Sequence, residues 1–224
     1  EDHEDDVTMF RSQCRRLSRC GVSRIYPNQK AAAEKVYETF GDRGVLVTLA
    51  LGLTQSGKTG VMLACIERFT KLDDGELPVP FENIYVITGL SSKEWKKQTR
   101  ERMPDIIGVN VLHRPDLKKL EAELKGKQNV LILIDEVQIA CGEEQTVSKE
   151  FEKAGLLNKE FMYENDIKLV EFSATPNGNL HDLKSGVHCR KVIVQPGDGY
   201  VGAIEFKNSD RLRETTPLSG PHMD

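Results

Sequence analysis

Residues 52–59 read Gly-Leu-Thr-Gln-Ser-Gly-Lys-Thr, which fits the pattern G-x-x-x-x-G-K-[ST]. The apolar run Val45 to Leu51 leads into it, and the apolar stretch Val61-Met62-Leu63-Ala64-Cys65-Ile66 follows. A strand, a tight Gly-bearing loop and a helix are what such a pattern needs. Glycines let consecutive backbone N–H groups turn toward an anion at the helix N-terminus. The pattern is a phosphate-binding loop, with Thr54, Gln55, Ser56 and Gly57 as its cradle. Lys58 is placed to reach β/γ-phosphates and the Thr59 hydroxyl to ligate Mg²⁺. Ordinary residue usage produces this string by chance in roughly one in a hundred chains of this size. Its flanks make a nucleoside triphosphate the expected ligand.

The rest of the chain alternates in kind. Pro27 sits where helices begin, and Ala32, Ala33, Val36, Tyr37 and Phe40 recur at helical spacing. Strands are expected at 45–51, 84–88, 109–113, 130–134, 167–172 and 192–194. Helices are expected at 8–24, 29–40, 58–70, 116–125 and 146–154. Another, capped by Ser91 and Glu94, should run to about Met103. Val130-Leu131-Ile132-Leu133-Ile134 is apolar throughout, as in a strand covered on both faces. The expected fold is α/β: a mainly parallel sheet with helices on both faces.

With 224 residues the chain suits one large domain plus tails. An acidic, disordered start and a basic segment are expected over 1–24, the nucleotide-binding domain over 25–200, and a linker or tail over 201–224. The end, Ser219-Gly220-Pro221-His222-Met223-Asp224, reads equally as cloning-vector sequence or as a natural tail. No apolar run approaches the length of a membrane span. Five scattered cysteines without a C-x-x-C pair read as free thiols in a reducing, intracellular compartment. The net charge of −4 excludes a globally basic nucleic-acid binder. The basic residues are nevertheless clustered. Arg11, Arg15, Arg16, Arg19, Arg24 and Lys30 share a stretch with no acid, and residues 93–102 hold five cations. Either stretch could meet phosphates or simply face solvent.

Two further motifs end strands. Leu133-Ile134-Asp135-Glu136-Val137-Gln138 sets paired carboxylates at the carboxyl edge of the sheet, where open α/β sheets bind ligands. Asp135 there would hold Mg²⁺, and Glu136 would orient and activate the attacking water. Phe172-Ser173-Ala174-Thr175-Pro176 offers short hydroxyls that can relay hydrogen bonds to the carboxylates from a neighbouring strand end.

In this order the motifs resemble the first RecA-like domain of superfamily 2 helicases and translocases, over roughly residues 25–195. Gly52–Thr59 resembles motif I, Asp135-Glu136-Val137-Gln138 motif II of the DExx type, and Ser173-Ala174-Thr175 motif III. Pro27-Asn28-Gln29 is similar to the upstream P-x-Q element. The resemblance implies that Gln29 reads adenine, with Tyr26 or Ile25 stacking on the base. It implies coupling roles for Gln138, Ser173 and Thr175. It also implies that Thr88, Gly89, Leu90, Ser91 and Lys93 touch a DNA or RNA backbone, as motif Ia does. Trp95 and Gln98 echo the helix after it. The wording Gly-Leu-Ser-Ser-Lys-Glu-Trp and Glu-Phe-Ser-Ala-Thr-Pro is similar to helicase-like proteins of large DNA viruses.

The departures are Gln138 where His or Asp is commoner, and a motif Ia without its proline-threonine opening. The arginine-bearing S/T-x-x-x-Q-G-x-x-R-x-x-R string of the second RecA-like domain does not occur after residue 176. The resemblance therefore implies an ATP- and Mg²⁺-dependent hydrolase whose second RecA-like domain is absent from this chain. A nucleotide-kinase-like phosphotransferase and a non-catalytic nucleotide switch remain as alternative readings of the same loop.

Overall fold

The structure is a computed structural model. It describes residues 2–52, 57–72, 77–88, 92–108, 110–135, 144–174, 188–198, 200, 202 and 208–209, with the backbone alone at 95, 144–147 and 188. Helices α1 (Asp2–Arg19) and α2 (Pro27–Thr39) precede strand β1 (Val45–Gly52). Then come α3 (Lys58–Phe69), β2 (Ile84–Thr88), α4 (Lys93–Arg102), α5 (Asp105–Gly108), β3 (Val111–His113), α6 (Leu120–Leu124) and β4 (Val130–Asp135). Helices α7 (Glu144–Lys153) and α8 (Lys159–Glu164) lead to β5 (Ile167–Ser173) and β6 (His188–Val194).

The six strands form one sheet in the order β3-β2-β4-β5-β1-β6, and every pair is parallel. The fold is therefore α/β with a parallel sheet and helices on both faces. Side chains alternate across a strand, so β4 feeds two cores. Leu131 and Leu133 pack in a cluster with Phe10, Val36, Ile66 and Phe172, under α1 to α3. Ile132 and Ile134 pack on the other side with Tyr85, Leu120, Phe151 and Met162, under α6 to α8. Burial on both faces explains why β4 reads as unbroken apolar sequence.

Three expectations are corrected. The acidic start is helical from Asp2. Val7, Phe10, Cys14 and Leu17 lie three to four residues apart and pack inward, while Asp2, Glu4 and Asp5 favour the positive helix N-terminus. His3 adds a hydrogen bond to the Thr70 carbonyl at 2.8 Å. The N-cap of α4 is Ser92, whose hydroxyl accepts from the Glu94 N–H at 3.2 Å. Residues 114–119 form 3₁₀ turns before α6, because Pro115 and the Asp116 side chain hold a turn at the strand exit. Helix α8 had no counterpart in the sequence reading. Asn158 caps it by accepting from the Phe161 N–H at 3.0 Å.

Candidate functional site

Because all strands run in parallel, their carboxyl ends share one edge. Gly52, Thr88, His113, Asp135 and Ser173 end β1 to β5 there. From that edge β1 passes to α3 through the phosphate-loop sequence. Gly57 has φ +81°, a left-handed conformation that glycine adopts without Cβ strain. It directly precedes Lys58, and its carbonyl accepts from Gly60 N–H at 2.9 Å, starting the helix. Helix α3 has no side-chain N-cap and no acid in its first turn. Its N-terminus is thus an electropositive end with donors to offer. Lys58 and Thr59 lie on that first turn, both half-buried. Thr54, Gln55, Ser56, Glu136, Gln138, Thr175, Gly89, Leu90 and Ser91 lie outside the described residues.

Strand β5 separates β1 from β4. In register, Ser173 stands beside Leu51 of β1, and Phe172 beside Asp135 of β4. The buried Ser173 therefore ends its strand between the phosphate-loop strand and the carboxylate strand, and by the parity of Ile167 and Leu169 its side chain projects to the α6–α8 face. Asp135 has the parity of Leu133, so its side chain projects to the α3 face, toward the helix that carries Lys58 and Thr59. On its other side Asp135 is in register with Thr88, and Thr88 with His113. Among the described residues the buried Thr88 hydroxyl has no hydrogen-bond partner. Lys93 is exposed at the start of α4, the helix after β2.

Gln29 is 3 % exposed and holds the entry of α2 against the phosphate loop. Its carbonyl oxygen accepts from the Tyr26 N–H at 2.8 Å, and its amide donates to the Gly57 carbonyl at 2.9 Å. A Cβ on Gly57 or Gly60 would come within 2.4 or 2.2 Å of the Gln29 amide group, so both glycines leave the room it fills. A cleft of about 420 Å³ opens beside this contact, lined by Arg24, Tyr26, Gln29, Gly57, Thr59 and Gly60 among others. The Tyr26 ring is half exposed there, with the Arg24 guanidinium 5.2 Å from its centroid. The cleft is wide enough for a base and ribose.

Sequence reasoning missed a polar cluster at the far end of the same edge. Asp116 accepts from Lys96 of α4, from the His113 ring, and from the His113 N–H at 3.2 Å. Desolvation opposes ionisation of Asp116, but these donors outweigh it and bring its carboxyl down to about 2. The only signal in the sequence is a His113-x-x-Asp116 spacing that suits a turn cap. Of the basic stretches, Arg11 and Lys30 both pair with Glu67 at 3.4 Å, Arg16 with Asp105 at 2.8 Å, and Lys97 with Glu101 at 3.8 Å. The described cysteines are free thiols, and burial raises Cys65 and Cys14, the latter to about 12 with help from Glu67. No described helix is long and apolar enough to cross a membrane.

No protein-family model and no curated protein matches this sequence. Among solved structures, the chain is similar to the hydrogenase maturation factor HypB from Archaeoglobus fulgidus. They share 20 % identity, over 64 % of this chain and 88 % of that one, with a TM-score of 0.21.

Proposed function

We propose that this chain is the ATP-binding domain of a nucleic-acid-dependent ATPase of the superfamily 2 helicase or translocase type. The observation that carries the reading is the position of β5. It brings Ser173 out between the phosphate-loop strand and the Asp135 strand, on the edge where the motifs of such a domain must meet. A plain phosphate-binding loop does not account for a hydroxyl-bearing strand end between those two strands.

The residues suit a triphosphate and Mg²⁺. The α3 N-terminus carries no competing side-chain cap or acid, and Gly57 and Gly60 leave space no Cβ could share. Thr59 and Asp135 would hold the metal, and Lys58 the β/γ-phosphates. Bound Mg²⁺ would neutralise charge on the phosphates. The protein's own work is positioning. Backbone N–H groups at the start of α3 would face the phosphates, and Gln29 and Tyr26, which line the cleft, would flank the base. Glu136 would orient the attacking water, and Gln138, Ser173 and Thr175 would link the site to what moves.

In this reading the catalytic cleft is completed by a second RecA-like domain bearing an arginine finger, a group that contributes about 10³–10⁵ in rate. DNA or RNA would run over Thr88–Lys93. The test is product analysis after incubation with Mg·ATP, with and without polynucleotide and nucleoside monophosphate. Slow release of inorganic phosphate, little changed by polynucleotide, is the expected result for this domain alone. Turnover on the order of 1–100 per second would contradict the need for a second domain. Transfer of phosphate to the monophosphate would replace the ATPase reading with a phosphotransferase.

A further inference from the structure

A separate cavity of about 260 Å³ lies between α1, the entry to α2, and α3. Four cations line it: Arg11 and Arg15 from α1, Arg24 from the connection, and Lys30 from α2. Among its described lining residues the one acid is Glu67 of α3, and Arg11 and Lys30 already share it at 3.4 Å each. Among the described residues no carboxylate pairs with Arg15 or Arg24. Phe10 and Ile25 form an apolar floor, and Phe10 is 1 % exposed. Such a wall does not screen, so the field of the surrounding cations concentrates in the hollow. Arg11 and Arg15 are one helical turn apart and point the same way, a repulsion that an anion would relieve.

We propose that this cavity is a second phosphate-binding site, distinct from the phosphate loop. Guanidinium forks from two elements meet there, and forks match the oxygens of a phosphate better than they match water. The site adjoins the nucleotide cleft, since Ser18 and Arg24 line both. Arg24 can therefore change partners between the Tyr26 ring and an anion, which links occupancy of the two hollows. The phosphate could belong to a nucleic-acid strand or to a free polyphosphate; the recognising chemistry is the same. The site would bind anions whatever the phosphate loop holds, so it stands or falls separately from the ATPase reading.

The test is calorimetric titration of tripolyphosphate into the full chain carrying Lys58→Ala, which disables the phosphate loop. Binding should persist and weaken with added salt. Arg15→Glu should weaken it about tenfold or more, and Arg15→Lys only in part, as for loss of one charge-assisted contact. Glu67→Gln should act in the opposite direction and tighten it severalfold, because it frees two cations. A structural role for these side chains would not produce opposite signs. Repeating the series with a short labelled oligonucleotide identifies the source. Sensitivity to Arg15→Glu in that arm assigns a strand phosphate, and sensitivity with tripolyphosphate alone assigns a free polyphosphate. Loss of all binding in Lys58→Ala, or indifference of both anions to Arg15→Glu and Glu67→Gln, would overturn the proposal.

Discussion

The side-chain amide of Gln29 donates to the carbonyl of Gly57 at 2.9 Å, tying the start of α2 to the residue that turns the chain into α3. The same Gln29 side chain accepts from Tyr26 N–H, so one amide group joins the cleft beside Tyr26 to the turn that starts α3. A change on either side is felt on the other.

Removing Gln29 should therefore cost more than a base contact. Gln29→Ala leaves the part-buried Tyr26 N–H without its acceptor and the Gly57 carbonyl with one donor fewer, a loss of about 1–3 kcal/mol. Thermal melting without nucleotide checks this directly. Under the proposed reading the variant also loses its preference for adenosine over other triphosphates, which competition with a fluorescent nucleotide would measure.

Gly60→Ala tests the same contact from the helix side. The new methyl would lie 2.2 Å from the Gln29 carbonyl oxygen, so it must expel that side chain and both its hydrogen bonds. A destabilisation of about 1–3 kcal/mol is expected in the parent and little further loss on a Gln29→Ala background. Additive losses in the double variant would mean that the methyl meets something other than Gln29.

Asp116 sets an acid limit on the β3 corner. Its folded-state value, about 2, lies below the ordinary 3.8, so its ionised form stabilises the fold above about pH 4. That contribution is lost as the pH falls from about 4 through 2. Asp116→Asn should lower stability at neutral pH by about 1–3 kcal/mol and flatten its fall over that window. Denaturant titrations of both proteins at pH 7, 4 and 3 would show it.

Much of this architecture was legible because local pattern and burial agree. Val130–Ile134 reads as a doubly covered strand, and Val45–Thr59 as strand, loop and helix, because those patterns depend on neighbours in sequence. What could not be read depends on crossings. Nothing near Ser173 says that β5 inserts between β1 and β4, since strand order in a parallel sheet is set by how the intervening helices pack. Gln29 stood out by its place after Pro27, but its bond to Gly57 joins residues far apart in the chain. Charge misled where it was paired. Lys96 belonged to a stretch open to phosphate or solvent yet shares one half-buried cluster with Asp116, and the acid-rich first turn of α1 looked like a tail although Phe10 and Leu17 anchor it.

Under the proposed function a triphosphate sits on the α3 N-terminus, held by Lys58 and by metal on Thr59 and Asp135. Titration of Mg·ATP into the parent chain and into Lys58→Ala tests it most directly. Saturable binding by the parent, weakened at least about tenfold in a variant that still melts cooperatively without nucleotide, is the predicted result. Equal affinity in the two proteins would contradict the account.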